Sequence, residues 1–211
     1  MTKLRLGTIG TSGITEQFIE AAKQSGEYTY QGVYSRHMSK ADDFKNRFGA
    51  EETYDDFDAF LNAEAIDVVY VASPNSLHFS QARDVIAHGK HAIVEKPMVT
   101  SLKEWKELTD LAREKGVVVV EAARHIFEPN FVKLTQLIKG FDGISGATLT
   151  YSKYSSRYDN VLDGEEPPIF SPKFAGGAAN DLGIYTGVRR PQLVRQARIG
   201  PCFFSKDPHR R

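Results

Sequence analysis

From Leu4 to Ala122 the sequence repeats one grammar: a short apolar run, a turn marked by glycine or a capping residue, then an amphipathic stretch. Runs of this length predict strands, and apolar residues recurring every three to four positions predict helices. Strands are expected at Leu4–Ile9, Tyr28–Ser35, Glu51–Tyr54, Ile66–Ala72, His91–Val94 and Val117–Ala122. Between them lies a helix after Gly13, with Phe18, Ile19 and Ala22 inward and Gly26 at its end. Next comes one opened by a capping box at Ser39-Lys40-Ala41-Asp42, with Ala41, Phe44 and Phe48 inward. A short helix carries Phe57, Phe60 and Leu61, and longer ones cover Leu77–His88 and Ser101–Lys115. Ser101 and Glu104 cap the last, whose buried stripe is Leu102, Trp105, Leu108 and Leu111. Strands spaced by helices must pair in parallel, because a parallel neighbour is reached only through a crossover.

The segment Ile66–Ala72 is apolar on both faces, as a strand covered by helices on each side should be. Residues 1–122 therefore read as a Rossmann-type, doubly wound parallel sheet, the cofactor-binding kind of α/β domain. Beyond them the grammar changes. A helix is expected over Pro129–Lys139, with Phe131, Leu134 and Ile138 inward, then a strand over Ala147–Tyr154. Residues 155–175 are loop-like, and a short helix follows from Asn180 to Thr186. Because a stable sheet takes about three strands and only one is predicted here, residues 123–186 read as an incomplete α+β second domain. Residues 187–211 hold seven basic residues against a single acid and fit no periodicity. They read as an aberrant basic tail, such as an out-of-frame or artificially terminated end would produce.

Composition narrows the function classes. The 211 residues carry 27 Lys+Arg against 27 Asp+Glu and are 41% hydrophobic, the balance of an ordinary globular protein. Their apolar runs are far shorter than the ~20 residues of a membrane span. With a single cysteine, Cys202, and no apolar leader after Met1, the expected setting is reducing and cytoplasmic. His88 and His91 lack the ligand partners of a metal site, so no metal is expected. The basic tail lacks a reading element for nucleic acid.

Three places could carry chemistry. The turn Gly10-Thr11-Ser12-Gly13-Ile14 lies between the first strand and helix, where a dinucleotide site needs a tight turn and a helix N-terminus aimed at the pyrophosphate. Ser12 and Thr15 stand at the second and third positions of a G-x-G-x-x-G pattern, so the same turn would also serve another α/β fold. Ser35 and Arg36 end the second strand, where an NAD enzyme places a carboxylate on the ribose. A guanidinium there suits a 2′-phosphate and favours NADP, with NAD as the other candidate and a solvated loop cation as the alternative reading of Arg36. Third come Ser73-Pro74-Asn75 with His78, and Glu95-Lys96, at the carboxyl ends of the fourth and fifth strands, the rim where open α/β sheets bind ligands. On that rim Lys96 would orient a substrate hydroxyl or, with its pKa lowered by burial, take its proton.

Taken in order, these pieces resemble the Gfo/Idh/MocA family of NAD(P)-dependent oxidoreductases. The resemblance rests on Ile9-Gly10-Thr11-Ser12-Gly13-Ile14, Ser35-Arg36, Ser73-Pro74-Asn75-Ser76-Leu77-His78 and Gly89-Lys90-His91 leading to Glu95-Lys96-Pro97. It continues through Glu121-Ala122, Phe127 and Pro129 to Gly176-Gly177-Ala178-Ala179-Asn180-Asp181-Leu182-Gly183-Ile184-Tyr185, spanning residues 3–186. It implies hydride transfer between NADP(H) and a hydroxyl-bearing carbon of a sugar, cyclitol or related polyhydroxylated compound. It also implies that Lys96 assists proton transfer, Asp181 binds or polarises the substrate hydroxyl, and Tyr185 stands where the family places its acid/base. Without the resemblance, Asp181 would pass for a capping acid and Tyr185 for a packed aromatic. The resemblance further implies a homo-oligomer in intact relatives, which often associate through the second-domain sheet, an association in doubt for a chain that leaves the family pattern after residue 186. The alternative function is an NADP(H)-binding module without catalysis.

Overall fold

The computed structural model describes residues 2–143, 146 and 148–185. Its centre is the strand Val68–Val71 (β4), whose four residues are all buried because helices cover both faces. Leu4–Ile9 (β1), Tyr28–Tyr34 (β2) and Glu52–Tyr54 (β3) lie to one side, and His91–Val94 (β5) and Val119–Glu121 (β6) to the other. All pairings are parallel, and the order across the sheet is β3-β2-β1-β4-β5-β6. The crossovers are Gly13–Ser25 (α1), Met38–Phe48 (α2), Phe57–Asn62 (α3), Asn75–Ala87 (α4) and Leu102–Lys115 (α5). The expected doubly wound sheet is present.

Each face has its own core. Ile9, Phe60, Val69, Val71, Ile86, Val94 and Leu108 pack on one side, and Leu6, Ile19, Val33, Phe44, Val68 and Tyr70 on the other. On the second face the ring of Tyr70 stacks on Phe18, with centroids 3.7 Å apart, fastening α1 to the middle strand. Helix ends follow the sequence signals: Gly26, Gly49 and Gly116 close α1, α2 and α5 in the left-handed conformation. Ser101 caps α5 by accepting from the Glu104 amide. Lys90, buried at the start of β5, donates its ammonium to the carbonyls of Ala63 and Ile66 behind α3.

Several expectations are corrected. Helix α2 starts at Met38, with His37 at the cap position and no side-chain cap, so the box at Ser39–Asp42 does not form. The Asp42 carboxylate instead accepts from the Thr53 hydroxyl on β3. In α5, Leu108 is buried but Leu102 and Trp105 are exposed, at 69% and 46%. Length explains this: 14 helical residues run about 21 Å, whereas the three- and four-residue strands beneath span roughly 10–13 Å. The first turns of α5 overhang the sheet.

The helix Pro129–Lys139 (α6) forms as expected and buries Phe131, but Leu134 faces solvent. Of the expected strand Ala147–Tyr154, Ala147 lies outside the described residues, and 148–154 adopt no regular structure. Among the described residues no neighbouring strand offers them a hydrogen-bonded ladder, and a lone strand leaves its amides unpaired. The stretch expected to be loop contains one helical turn and a half, Tyr158–Leu162 (α7), and a 3₁₀ turn, Pro172–Phe174. The expected helix at Asn180 begins at Ala179 as a π-helix and continues through Tyr185. Thr186 and the basic tail 187–211 lie outside the described residues. Among the described residues no helix is long and apolar enough to cross a membrane.

Two stability outcomes follow. Phe60, wholly buried between α3 and the sheet, is expected to cost about 3–5 kcal/mol on truncation to Ala, read by chemical denaturation. Asp67 accepts from the Arg5 amide and guanidinium, and this guanidinium holds its carboxyl below the usual carboxylate range. Its contribution is complete above the ordinary aspartate pKa and is lost as pH falls through the depressed value, because the unfolded chain takes up the proton first. Asp67→Asn should therefore be less stable than wild type at neutral pH and converge with it in acid, measured by melting temperature against pH.

Candidate active site

The order of the strands makes the crevice. Chain direction across the sheet reverses between β1 and β4, so the connections leaving those two strands depart to opposite sides and a gap opens beyond their carboxyl ends. At the end of β1 the chain turns at Gly10, with φ +102°, in the left-handed region. A Cβ there would sit 2.7 Å from the Ala72 carbonyl at the end of β4, so only glycine lets the two strand ends approach this closely. The Gly10 amide donates to the Tyr34 carbonyl, which draws the end of β2 against the same turn.

Helix α1 starts at Gly13 without a side-chain cap, and Ser12 and Ile14 line a cleft of about 840 Å³. Uncapped amides and the positive end of a helix facing a cleft form a cradle suited to a pyrophosphate. Ser73, Pro74, Asn75 and His78 line the same cleft, as do Glu95, Lys96, Asp181 and Tyr185. Gly10 and Gly13 shape the turn behind it. Thr11 lines a neighbouring hollow of about 300 Å³ with Ser39, Lys40 and Arg47. Ser35 is buried, its hydroxyl accepting from the His37 amide, whereas Arg36 is exposed and makes no ion pair among the described residues.

Buried contacts set the rim. His78 lies under the cleft with its ring nitrogens 2.8 Å from the carbonyls of Ser73 and Pro97, bridging the loops that leave β4 and β5. Glu95 is held from beneath: the Tyr70 hydroxyl donates to one oxygen at 2.6 Å and the Lys96 amide to the other. Burial first, and then the charge of Glu95, raises the Tyr70 pKa, so this phenol stays protonated as a donor. The Lys96-Pro97 bond is cis.

Across the cleft, the π-helix brings Asp181 and Tyr185 to Lys96, which is 85 residues distant from Asp181 in sequence. The Lys96 ammonium donates to Asp181 Oδ1 at 2.8 Å and to the Asp181 carbonyl at 3.1 Å, and stands 5.0 Å from the Tyr185 ring centroid. Tyr185 is further fixed by stacking on Tyr151 at 4.6 Å and by the edge of His125 at 4.8 Å. The expectation of a lysine with a lowered pKa is corrected. Burial pushes it down, but the hydrogen bond and charge of Asp181, aided by Tyr185 and Glu95, outweigh that and leave it above the ordinary lysine value. In this arrangement Lys96 is an ammonium donor to Asp181.

The approach of the π-helix depends on Gly176. A Cβ there would lie 2.5 Å from the Pro168 and Ile169 carbonyls, which cross directly over it. Asn75 and Asn180 both donate to the Ala175 carbonyl, tying α4 to this segment. Sequence reasoning missed Tyr151, Lys153 and Arg157 on the outer wall and Arg124 near the floor. Tyr151 and Lys153 fall in the stretch expected to be a strand and Arg157 in the one expected to be loop, neither of which marks a site, and only Arg124 has a nearby motif, Glu121-Ala122, to point to it.

The sequence profile of the GFO_IDH_MocA oxidoreductase family, NAD-binding Rossmann fold, matches residues 4–123. Over 182 residues the chain is 42% identical to the uncharacterized oxidoreductase YgjR of Escherichia coli (strain K12). It is 35% identical to the scyllo-inositol 2-dehydrogenase (NADP(+)) IolU of Bacillus subtilis (strain 168). Each match covers 86% of this chain and 56% of the relative, so the chain spans little more than half the length of these proteins. Among solved structures, KijD10, a 3-ketoreductase from Actinomadura kijaniata in complex with NADP, superposes with a TM-score of 0.63 at 27% identity, over 65% of this chain and 44% of that one. GenD2 from gentamicin A biosynthesis shares the fold with a TM-score of 0.77 at 22% identity, over 92% of this chain and 54% of that one. A profile match over more than half of its length, on a parallel sheet of this strand order, makes the chain a member of the Gfo/Idh/MocA oxidoreductase family.

Proposed function

We propose that this chain binds NADP(H) on the rim of residues 1–122. In this reading, residues 123–186 contribute the opposite wall of a site for hydride transfer to or from a hydroxyl-bearing carbon of a sugar, cyclitol or similar polyhydroxylated compound. The meeting of Lys96, Asp181 and Tyr185 beside the uncapped end of α1 carries this reading. Names of relatives add support: IolU and KijD10 are associated with NADP and with a cyclitol dehydrogenase and a ketoreductase activity. A reducing, cytoplasmic setting fits the single Cys202.

The glycine turn and α1 receive the pyrophosphate. Ser35 and Arg36, at the end of the strand next to β1, take the 2′-phosphate, and Lys40 beside Thr11 adds a second positive charge to that side. Pro74, Asn75 and His78, with the backbone near Glu95, floor the nicotinamide end. The bound cofactor supplies or accepts the hydride. Lys96, as the ammonium paired with Asp181, donates a hydrogen bond to the substrate oxygen and stabilises negative charge developing there during carbonyl reduction. Asp181 holds that ammonium in place and binds a substrate hydroxyl. Tyr185, held between Tyr151 and Lys96, delivers the proton to the substrate oxygen in reduction and removes it in oxidation.

Titration with NADPH and NADH tests cofactor choice. Arg36→Ala should weaken NADPH binding by about 10- to 100-fold and leave NADH binding nearly unchanged, the loss expected of one charge-assisted phosphate contact. Turnover of a polyol panel tests the chemistry. Lys96→Met should lower kcat by roughly 100-fold or more while the chain still binds NADPH. Wild-type turnover in that variant would remove Lys96 from the mechanism, and NADPH binding without any turnover by the wild-type chain would select the non-catalytic module.

A further inference from the structure

The charge on the cleft wall is unevenly balanced. Four basic side chains, Lys96, Arg124, Lys153 and Arg157, line it against two acids, Glu95 and Asp181. Both acids are already engaged: Glu95 by the Tyr70 hydroxyl and the Lys96 amide, Asp181 by the Lys96 ammonium. Arg124 reaches back to the Gln17 side chain on α1 at 2.7 Å and so belongs to the cofactor wall. Lys153 and Arg157 line the same cleft as exposed residues, and among the described residues neither side chain makes an ion pair or a hydrogen bond. A tight turn presents them together. The Ser155 hydroxyl accepts from the Arg157 amide, and the Ser155 carbonyl accepts from the Tyr158 amide, folding the chain so that Lys153, Ser155, Ser156 and Arg157 all line the cleft.

We infer that Lys153 and Arg157 form an anion subsite, and that the compound taken by this cleft is an acidic sugar or cyclitol. It would carry a carboxylate or a phosphate ester at a carbon remote from the one that exchanges hydride. This rests on the reading of the cleft as a polyhydroxylated-substrate site. Two unpaired cations flanked by hydroxyl groups supply donors without a competing acceptor, the arrangement that favours an oxyanion over a neutral hydroxyl. The coenzyme's own phosphates have other partners in that reading, at the α1 terminus and at the end of β2.

Calorimetry on the whole chain, with and without NADPH, tests the assignment using glucuronate and glucose 6-phosphate as acidic probes and glucose and myo-inositol as neutral ones. At least one acidic probe should bind about tenfold or more tightly than glucose, and its identity tells carboxylate from phosphate. The pair Lys153→Gln and Arg157→Gln should erase that preference while NADPH affinity stays within about twofold, and Lys153→Arg should retain it. Equal binding of acidic and neutral probes overturns the inference, as does a preference untouched in the double variant. A parallel loss of NADPH affinity in the double variant would reassign the pair to the cofactor. A wild-type chain that binds glucuronate but never NADPH would defeat the proposed function and leave the subsite standing.

Discussion

A parallel sheet cannot be joined by hairpins, and this constraint organises the molecule. Each strand must be followed by a crossover, so the chain winds outward from β1 to β3, returns, and winds the other way from β4 to β6. The reversal opens one crevice at the carboxyl ends of β1 and β4. All the chemistry-bearing loops of residues 1–122 lie on that edge because strands of one direction share one carboxyl end. Gly10 keeps the two central strand ends close, and the Tyr70 stack on Phe18 keeps α1 aimed at the gap.

On this base a few polar contacts set the site. His78 bridges the loops after β4 and β5, and Tyr70 steadies Glu95 from below, so the backbone carrying Lys96 is fixed on both sides. Lys96 is then turned outward toward the segment that descends over the crevice. The ion pair with Asp181 joins the two walls. Its side chains are only 17% and 25% exposed, so water screens the attraction little. Losing one partner would leave the other charge sheltered without compensation.

Much of the first 122 residues was legible from periodicity. The six strands and their helices fall within a few residues of expectation, because a buried strand apolar on both faces and a helix closed by glycine leave strong local marks, as at Val68–Val71 and Gly26. The misses have specific causes. Leu102 and Trp105 look buried by spacing, but strand length decides how much of α5 has sheet beneath it. Asp42 looks like part of a capping box, but Thr53 on β3 claims its carboxylate. Residues 148–154 alternate like a strand, yet a strand exists only when another offers it a ladder.

The same division holds for function. Local pattern alone determined the parallel sheet, its glycine turn and the rim on which Ser73, His78 and Lys96 would lie, since each depends on neighbours within a few residues. That Asp181 and Tyr185 share the family's site was implied by resemblance, not by their own surroundings in sequence. Tertiary structure decided what they do to Lys96: contact across 85 residues raises its pKa where burial alone would have pushed it down. It also decided that Lys153 and Arg157 line the cleft, because in a segment without regular structure the direction of a side chain is set by what the chain folds against.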